Sequence, residues 1–289
     1  FDRLDMLIDY HDGPLATLSY YVHSFLSESI SNAGFKVSVS GTAADELFTG
    51  YYDHYGFWLA EMADSADFPQ MLEDWRHSYG AFVRNPLLQD PLAFRKNPDQ
   101  RGHIYLDRGI FNNMLHEPID EDFYEAGYST NVLRNRMLNE LFNESIPVIL
   151  HEDDLNSMCW SVENRSPYLD RELCEFAYSI PNRHLVRDGY MKWLLRSAVD
   201  GVLPDSVRLD KRKRGFNASI DYLIDRNDPD VVERLLEKGP IYDLVRRDSM
   251  EKFVRGDMTD NSFSKFLFSF VCAQTFLNRN GRPVAYGTA

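Results

Sequence analysis

The sequence predicts an α/β chain: a thin parallel layer near the amino end, followed by a mostly helical remainder. Two observations carry that reading. A helix, a short strand and a second helical pattern follow one another between Pro14 and Tyr55, the order that builds parallel α/β layers. After Tyr55 no convincing two-residue alternation recurs, only helical periods interrupted by Pro69, Pro86, Pro91, Pro98, Pro118, Pro147, Pro167 and Pro181.

From Pro14 to Gly34 the apolar residues Leu15, Leu18, Val22, Phe25, Ile30 and Ala33 recur at helical spacing. Proline opens this helix and glycine follows its end. "FKVSVS" then alternates Phe35, Val37 and Val39 with polar partners, the period of a strand. A lone strand makes no stable sheet, so further strands are expected from a longer chain or from weakly patterned segments near the amino end. The stretch from Asn85 to Glu121, rich in Pro, Asn and Asp, predicts a long irregular connection with short helices. Helical windows follow at Thr130 to Glu144, Asp153 to Val162, Asp170 to Ser179, Tyr190 to Asp200 and Phe263 to Leu277.

The 289 residues, 44% hydrophobic, suffice for a sizeable core in one large domain or two intimate ones. A net charge of −14 counts against nonspecific binding to nucleic acid or to an anionic membrane, and favours a small-molecule or protein partner. Cys159, Cys174 and Cys272 are too scattered for a disulfide framework or a zinc knuckle, so the chain reads as reduced and cytoplasmic. The greasy stretch from Phe263 carries Lys265 and is too short to span a bilayer, which makes it a buried helix. No signal peptide is visible behind Phe1, and the missing initiator Met points to a fragment.

Three constellations could carry chemistry. In "VSVSGTAADELFTGYY", Ser40 and Gly41 end the strand, and a residue without Cβ permits close approach of a nucleotide. Asp45 and Glu46 fall in the next first turn, where they either cap a helix or, for Asp45, hold a Mg²⁺. In "DDLNSMCWSVENRSPYLD", Arg165 and Asp170 straddle an extended "SPYL" and either line one cleft or form a buried ion pair between helices. In "YMKWLLRSAVDGVLPDSVRLDKRKRGF", Lys192 stands beside apolar Trp193, Leu194 and Leu195; turned inward, its ammonium suits a developing negative charge. The run "KRKR" at 211–214 is a solvated patch or a local phosphate contact. His11 reads as a capping or packing histidine rather than a general base. Metal-hydrolase, serine-hydrolase and dehydrogenase motifs are absent from the sequence.

Together and in order, these three stretches resemble the synthetase domain of the glutamine-hydrolysing asparagine synthetase family, over about Ile8 to Leu277. The resemblance implies an adenine-nucleotide alpha-hydrolase-like (ATP pyrophosphatase) parallel sheet. Residues 1–55 would be the remnant of the nucleotide-binding layer and 56–289 the helical part. It implies a cytoplasmic ligase of asparagine biosynthesis that adenylates a carboxylate acceptor with ATP and Mg²⁺ and then transfers ammonia from glutamine. By the same likeness Ser40 and Gly41 contact the nucleotide, Asp45 holds Mg²⁺, Lys192 is the catalytic lysine, and Arg165 with Asp170 walls the acceptor. Thr42 replaces the Glu of asparagine synthetase proper, and a hydroxyl cannot act as a carboxylate base. Thr also occurs there in homologues associated with bacterial surface polysaccharides, which makes a sugar uronate an alternative acceptor to aspartate. The family's SGGxDS pyrophosphate loop and its amino-terminal cysteine glutaminase domain are absent from this sequence. The expectation is therefore the carboxyl-terminal part of a longer amidotransferase, inactive alone. A non-catalytic binding or assembly module and a lactam-forming relative remain as alternatives, and an oligomer stays open.

Overall fold

The computed structural model describes residues 1–104, 106–212, 219–256 and 261–280. Two helices open the chain, α1 (Asp2–His11) and α2 (Leu18–Asn32). Leu4, Leu7 and Ile8 of α1 are buried at helical spacing, so the amino-end segment expected to offer a further strand is a helix. Strand β1 (Val37–Val39) leads into α3 (Ala44–Phe48) and α4 (Tyr52–Glu61). Next come α5 (Phe68–Arg76), the one-turn helices α6 (Ala93–Lys96) and α7 (Arg108–Phe111), α8 (Val132–Phe142) and α9 (Ser145–Met158). Residues 85–121 form the irregular connection that their Pro and Asn content predicts.

The partner of β1 is β2 (Glu163–Arg165), paired in parallel with Val37 opposite Glu163 and Val39 opposite Arg165. It comes neither from the amino end nor from outside this chain. The α/β reading therefore holds, with a smaller parallel sheet than an open nucleotide-binding fold, and the helical remainder contains strands of its own. Among the described residues β1 pairs with no other strand. Val37 is 41% and Val39 70% exposed, so the apolar period of this strand faces no core among the described residues.

After α10 (Arg171–Ser179), strands β3 (Val186–Arg187) and β4 (Tyr190–Met191) form a hairpin. Its turn, Asp188–Gly189, has φ of 52° and 77°, the left-handed pair that Asp-Gly hairpins use. The helix expected from Tyr190 consequently begins later, as α11 (Trp193–Ala198). α9 begins earlier than expected, because Pro147 sits in its first turn, where a missing N–H costs nothing. α12 (Asp205–Arg208), α13 (Pro229–Leu235), α14 (Arg247–Arg255) and α15 (Asn261–Asn280) complete the described chain.

The core has three parts. Leu4, Leu7, Ile8 and Tyr20 pack with Leu267, Phe268 and Val271 of α15, so the greasy carboxyl-terminal helix is buried as its sequence predicts. No described helix is long and apolar enough to cross a membrane. Tyr55, Phe57 and Trp58 of α4 pack with Phe94, Leu133 and Met137. Ala43, Leu47, Phe48, Leu141, Ile146 and Ala177 form the third cluster, which lies directly beneath the loop that follows β1.

Candidate active site

Beyond the carboxyl ends of β1 and β2 the two segments meet. Ser40 N–H donates to the Arg165 carbonyl at 2.8 Å, continuing the ladder one residue past the strand. Three hydroxyls collect there, with Ser40 Oγ 2.9 Å from Thr42 Oγ1 and 3.2 Å from Ser166 Oγ. A Cβ placed on Gly41 would meet nothing within 4 Å, so its backbone is open to an incoming ligand. In α/β sheets, ligands bind beyond the carboxyl ends of the strands, the place these groups occupy.

Asp45 lies in the first turn of α3, and its carboxylate is ion-paired with the Lys192 ammonium. Lys192 is not within a helix: it sits just before α11 in the left-handed region, with φ 56°. Its N–H donates to Thr49 Oγ1 at 3.2 Å. Thr49 is fully buried with φ 71°, and Ala43 on the other side of Asp45 has φ 75°. A β-branched residue at positive φ is a true outlier. Of the six non-glycine residues with positive φ among the described residues, three surround Asp45. Such conformations cost roughly 1–3 kcal/mol each and cluster where function demands them.

Gly50 completes the corner. A Cβ there would lie 2.8 Å from Asp45 Cβ and overlap its carboxyl group, so only glycine leaves room for this Asp45 rotamer. Glu46 turns the other way. It is 1% exposed and accepts from Tyr51 Oη at 2.6 Å. Burial raises its pKa, although the Tyr51 bond works against the shift. It braces the loop and does not face the crevice with Asp45.

Behind the loop lies a buried ionic network. His54 Nε2 is 2.6 Å from Glu140 Oε2, and Arg136 bonds Glu140 Oε1 at 3.0 Å and Glu144 at 2.6 Å. Asp53 accepts from the His54 N–H at 3.0 Å and contacts His103 Nε2 at 3.2 Å. Burial acts to raise the Asp53 pKa, but the His103 hydrogen bond and the charges around it hold the carboxyl well below its usual range. Asp53, His54 and Glu140 offer ligand atoms within 4.8 Å of one another. Their charges are already answered by Arg136 and His103, so the cluster reads as an ion-pair network rather than a metal centre. Removing one member strands the others: Arg136→Ala is expected to cost about 3–5 kcal/mol in urea denaturation.

Arg165 and Asp170 are not paired with each other among the described contacts, and the buried ion pair between helices does not form. The Arg165 side chain is 60% exposed and bonds Glu163 at 2.9 Å. Asp170 caps α10, its Oδ1 accepting from Leu173 N–H at 3.0 Å. Asp170→Ala should therefore destabilise by about 1 kcal/mol, and Asp170→Asn, which still caps, should be nearly neutral in the same denaturation measurement. Of the basic run, Lys211 donates to the Asp188 carbonyl at 2.9 Å and Arg212 pairs with Asp210. Lys213 and Arg214 lie outside the described residues. His11 is packed beside Glu152, and burial lowers its pKa.

A family model described as asparagine synthase matches residues 1–276. The chain belongs to the asparagine synthase family. Asparagine synthetase [glutamine-hydrolyzing] 1 of Bacillus subtilis (strain 168) is 28% identical to it over 283 residues, covering 90% of this chain and 43% of that protein. Asparagine synthetase [glutamine-hydrolyzing] 3 of the same organism is 28% identical over 178 residues, covering 62% of this chain and 26% of its own length. The chain thus spans less than half the length of these relatives. Within the family frame, sequence reasoning singled out Asp45 and Lys192 separately but missed Thr49, Gly50, Ser166 and His54, which shape the corner. Gly50 carried the one readable signal, a glycine two residues past the apolar end of a short helix.

Proposed function

We propose that this chain carries the amide-forming half of an ATP-dependent ligase. An acceptor carboxylate oxygen attacks the α-phosphorus of ATP and pyrophosphate leaves. Ammonia then attacks the acyl carbon and AMP departs with that oxygen. The observation that supports this reading is the Lys192–Asp45 pair at a distorted corner beside the open strand ends. A fixed ammonium there meets the negative charge that phosphate oxygens gain during transfer.

Ser40 and the open backbone at Gly41 are proposed to receive the nucleotide. Asp45 is a hard oxygen donor, partly exposed at the crevice, which suits a Mg²⁺ shared between one carboxylate and phosphate oxygens. When bound, that ion would supply charge neutralisation at the phosphates. Lys192 and the metal would then share the Asp45 carboxylate. Arg165 can meet an acceptor carboxylate by exchanging Glu163 for it, because both side chains are exposed. We further propose that the exposed apolar strand β1 pairs at its other side with additional strands of a longer protein. Those strands would bring the pyrophosphate-binding loop, and a glutaminase domain would supply ammonia.

A second reading concerns the acceptor. Thr42 spends its hydroxyl on Ser40 and supplies no carboxylate base, which favours an acid other than aspartate, a sugar uronate in particular. Pyrophosphate release by the full-length protein with ATP, Mg²⁺ and ammonia, measured across aspartate and uronic acids, tests both readings. Release dependent on a uronate supports the second, and aspartate dependence supports asparagine formation. No release with any acid, alongside retained partner binding, would favour a binding or assembly module.

A further inference from the structure

We propose that His54 is a positioning residue for the catalytic corner: its Nδ1 holds the Gly50 N–H, and this bond seats Gly50 against Asp45 and so sets the Asp45–Lys192 pair. The inference rests on the ligase reading above for its catalytic consequence, but the bond itself stands on geometry. Gly50 N–H points to His54 Nδ1 at 3.3 Å inside the protein, where both residues are buried. Gly50 touches Asp45 so closely that no side chain fits between them. A shift of the Gly50 backbone therefore moves into, or away from, the Asp45 carboxyl.

The other half of the device fixes the ring. Nδ1 accepts only when it carries no proton, so the ring must present Nε2–H to Glu140. Glu140 Oε2 lies 2.6 Å from Nε2, and Arg136 holds the other oxygen of the same carboxylate. Asp53, from the same helix, bonds the His54 backbone N–H, which fixes the start of α4 beneath the loop. Burial acts to lower the His54 pKa, but Glu140, Asp53 and Glu46 more than offset it and the net shift is upward. The Gly50 bond belongs to the singly protonated ring. On the far side of the loop, Thr49 Oγ1 accepts from the Lys192 N–H and Tyr51 Oη donates to Glu46. Thr49, Gly50 and Tyr51 are thus tied to three different elements, and His54 supplies the central tie. A buried N–H deprived of its acceptor would pull the loop toward another partner.

Two substitutions separate this role from general stability. His54→Asn keeps an acceptor close to the place of Nδ1 and loses the reach to Glu140. His54→Gln reaches Glu140 but offers Gly50 nothing. In the full-length protein, His54→Gln is expected to speed amide hydrogen exchange at Gly50 by about tenfold. It should lower kcat for pyrophosphate release by about 100-fold, with KM for ATP little changed. His54→Asn should restore slow exchange and most of kcat, even if its melting temperature is the lower of the two. Loss of kcat that follows melting temperature across both variants, or unchanged Gly50 exchange in His54→Gln, overturns the proposal. If neither variant folds, Glu140→Gln, which still accepts from Nε2–H, should keep Gly50 protected, whereas Glu140→Leu should not; equal exchange in the two contradicts it. Hydrogen exchange reads the tie whether or not the protein releases pyrophosphate, so failure of the ligase reading is seen separately.

Discussion

Lys192→Ala is expected to lower acid-dependent pyrophosphate release by about 10²- to 10³-fold, the usual loss when one preorganised group facing transition-state charge is removed. Its effect on folding should be small, because the partly exposed pair with Asp45 contributes roughly 0–1 kcal/mol. Lys192→Arg should not rescue activity. The guanidinium is planar and larger than the ammonium, and it would have to leave a backbone held at φ 56° with its N–H tied to Thr49. Steady-state kinetics together with urea denaturation of both variants separates lost chemistry from lost fold.

Gly50→Ala should produce the second largest loss. The added methyl would collide with Asp45 at its Cβ and carboxyl, so Asp45 must turn and Lys192 loses its partner. Misplacing a reacting group by an ångström costs about 100-fold in rate, and overpacking a buried site costs roughly 1–3 kcal/mol. Gly41→Ala is the matched control, since its Cβ would meet open space. Its fold should be unchanged, and any increase in KM for ATP would report nucleotide approach to that backbone directly.

The parts legible in the sequence were those whose signal is local. α2, α8, α10 and α15 announce themselves by apolar spacing, and β1 by its two-residue period. β2 does not, because "ENR" contains no apolar alternation and becomes a strand only by pairing with β1, distant in sequence. The hairpin at Asp188–Gly189 was legible from its turn residues, but the neighbouring apolar run through Trp193 to Leu195 masked it with a helical period. The same distinction governs the site. Asp45 and Lys192 each stand out as charges among apolar residues, yet nothing in their spacing says that they meet. Their meeting is made by the third core cluster, which seats α3 against α10 and leaves Leu194 and Leu195 of α11 packed on it. Thr49 and His54 were invisible for a different reason: their importance lies in a dihedral angle and in one hydrogen bond, and composition carries neither.

Arg165 and Asp170 show the converse. Their proximity in sequence invites a shared role, but one is a solvent-facing partner of Glu163 and the other a helix cap. Any joint action on an acceptor depends on the ligand drawing Arg165 from its present partner. Asp170→Asn keeps the cap and removes the charge, so a rise in acceptor KM in that variant would assign the carboxylate to binding.

Adenylation of a carboxylate at the Asp45–Lys192 corner can be read from the fate of the acceptor's own oxygen. The full-length protein is supplied with ATP, Mg²⁺, ammonia and an acceptor acid labelled with ¹⁸O in its carboxylate, and the nucleotide products are weighed. Each AMP released is expected to carry one ¹⁸O, and its rate of formation to fall with Lys192→Ala. Label in inorganic phosphate accompanied by ADP, or AMP formed without label, would contradict it.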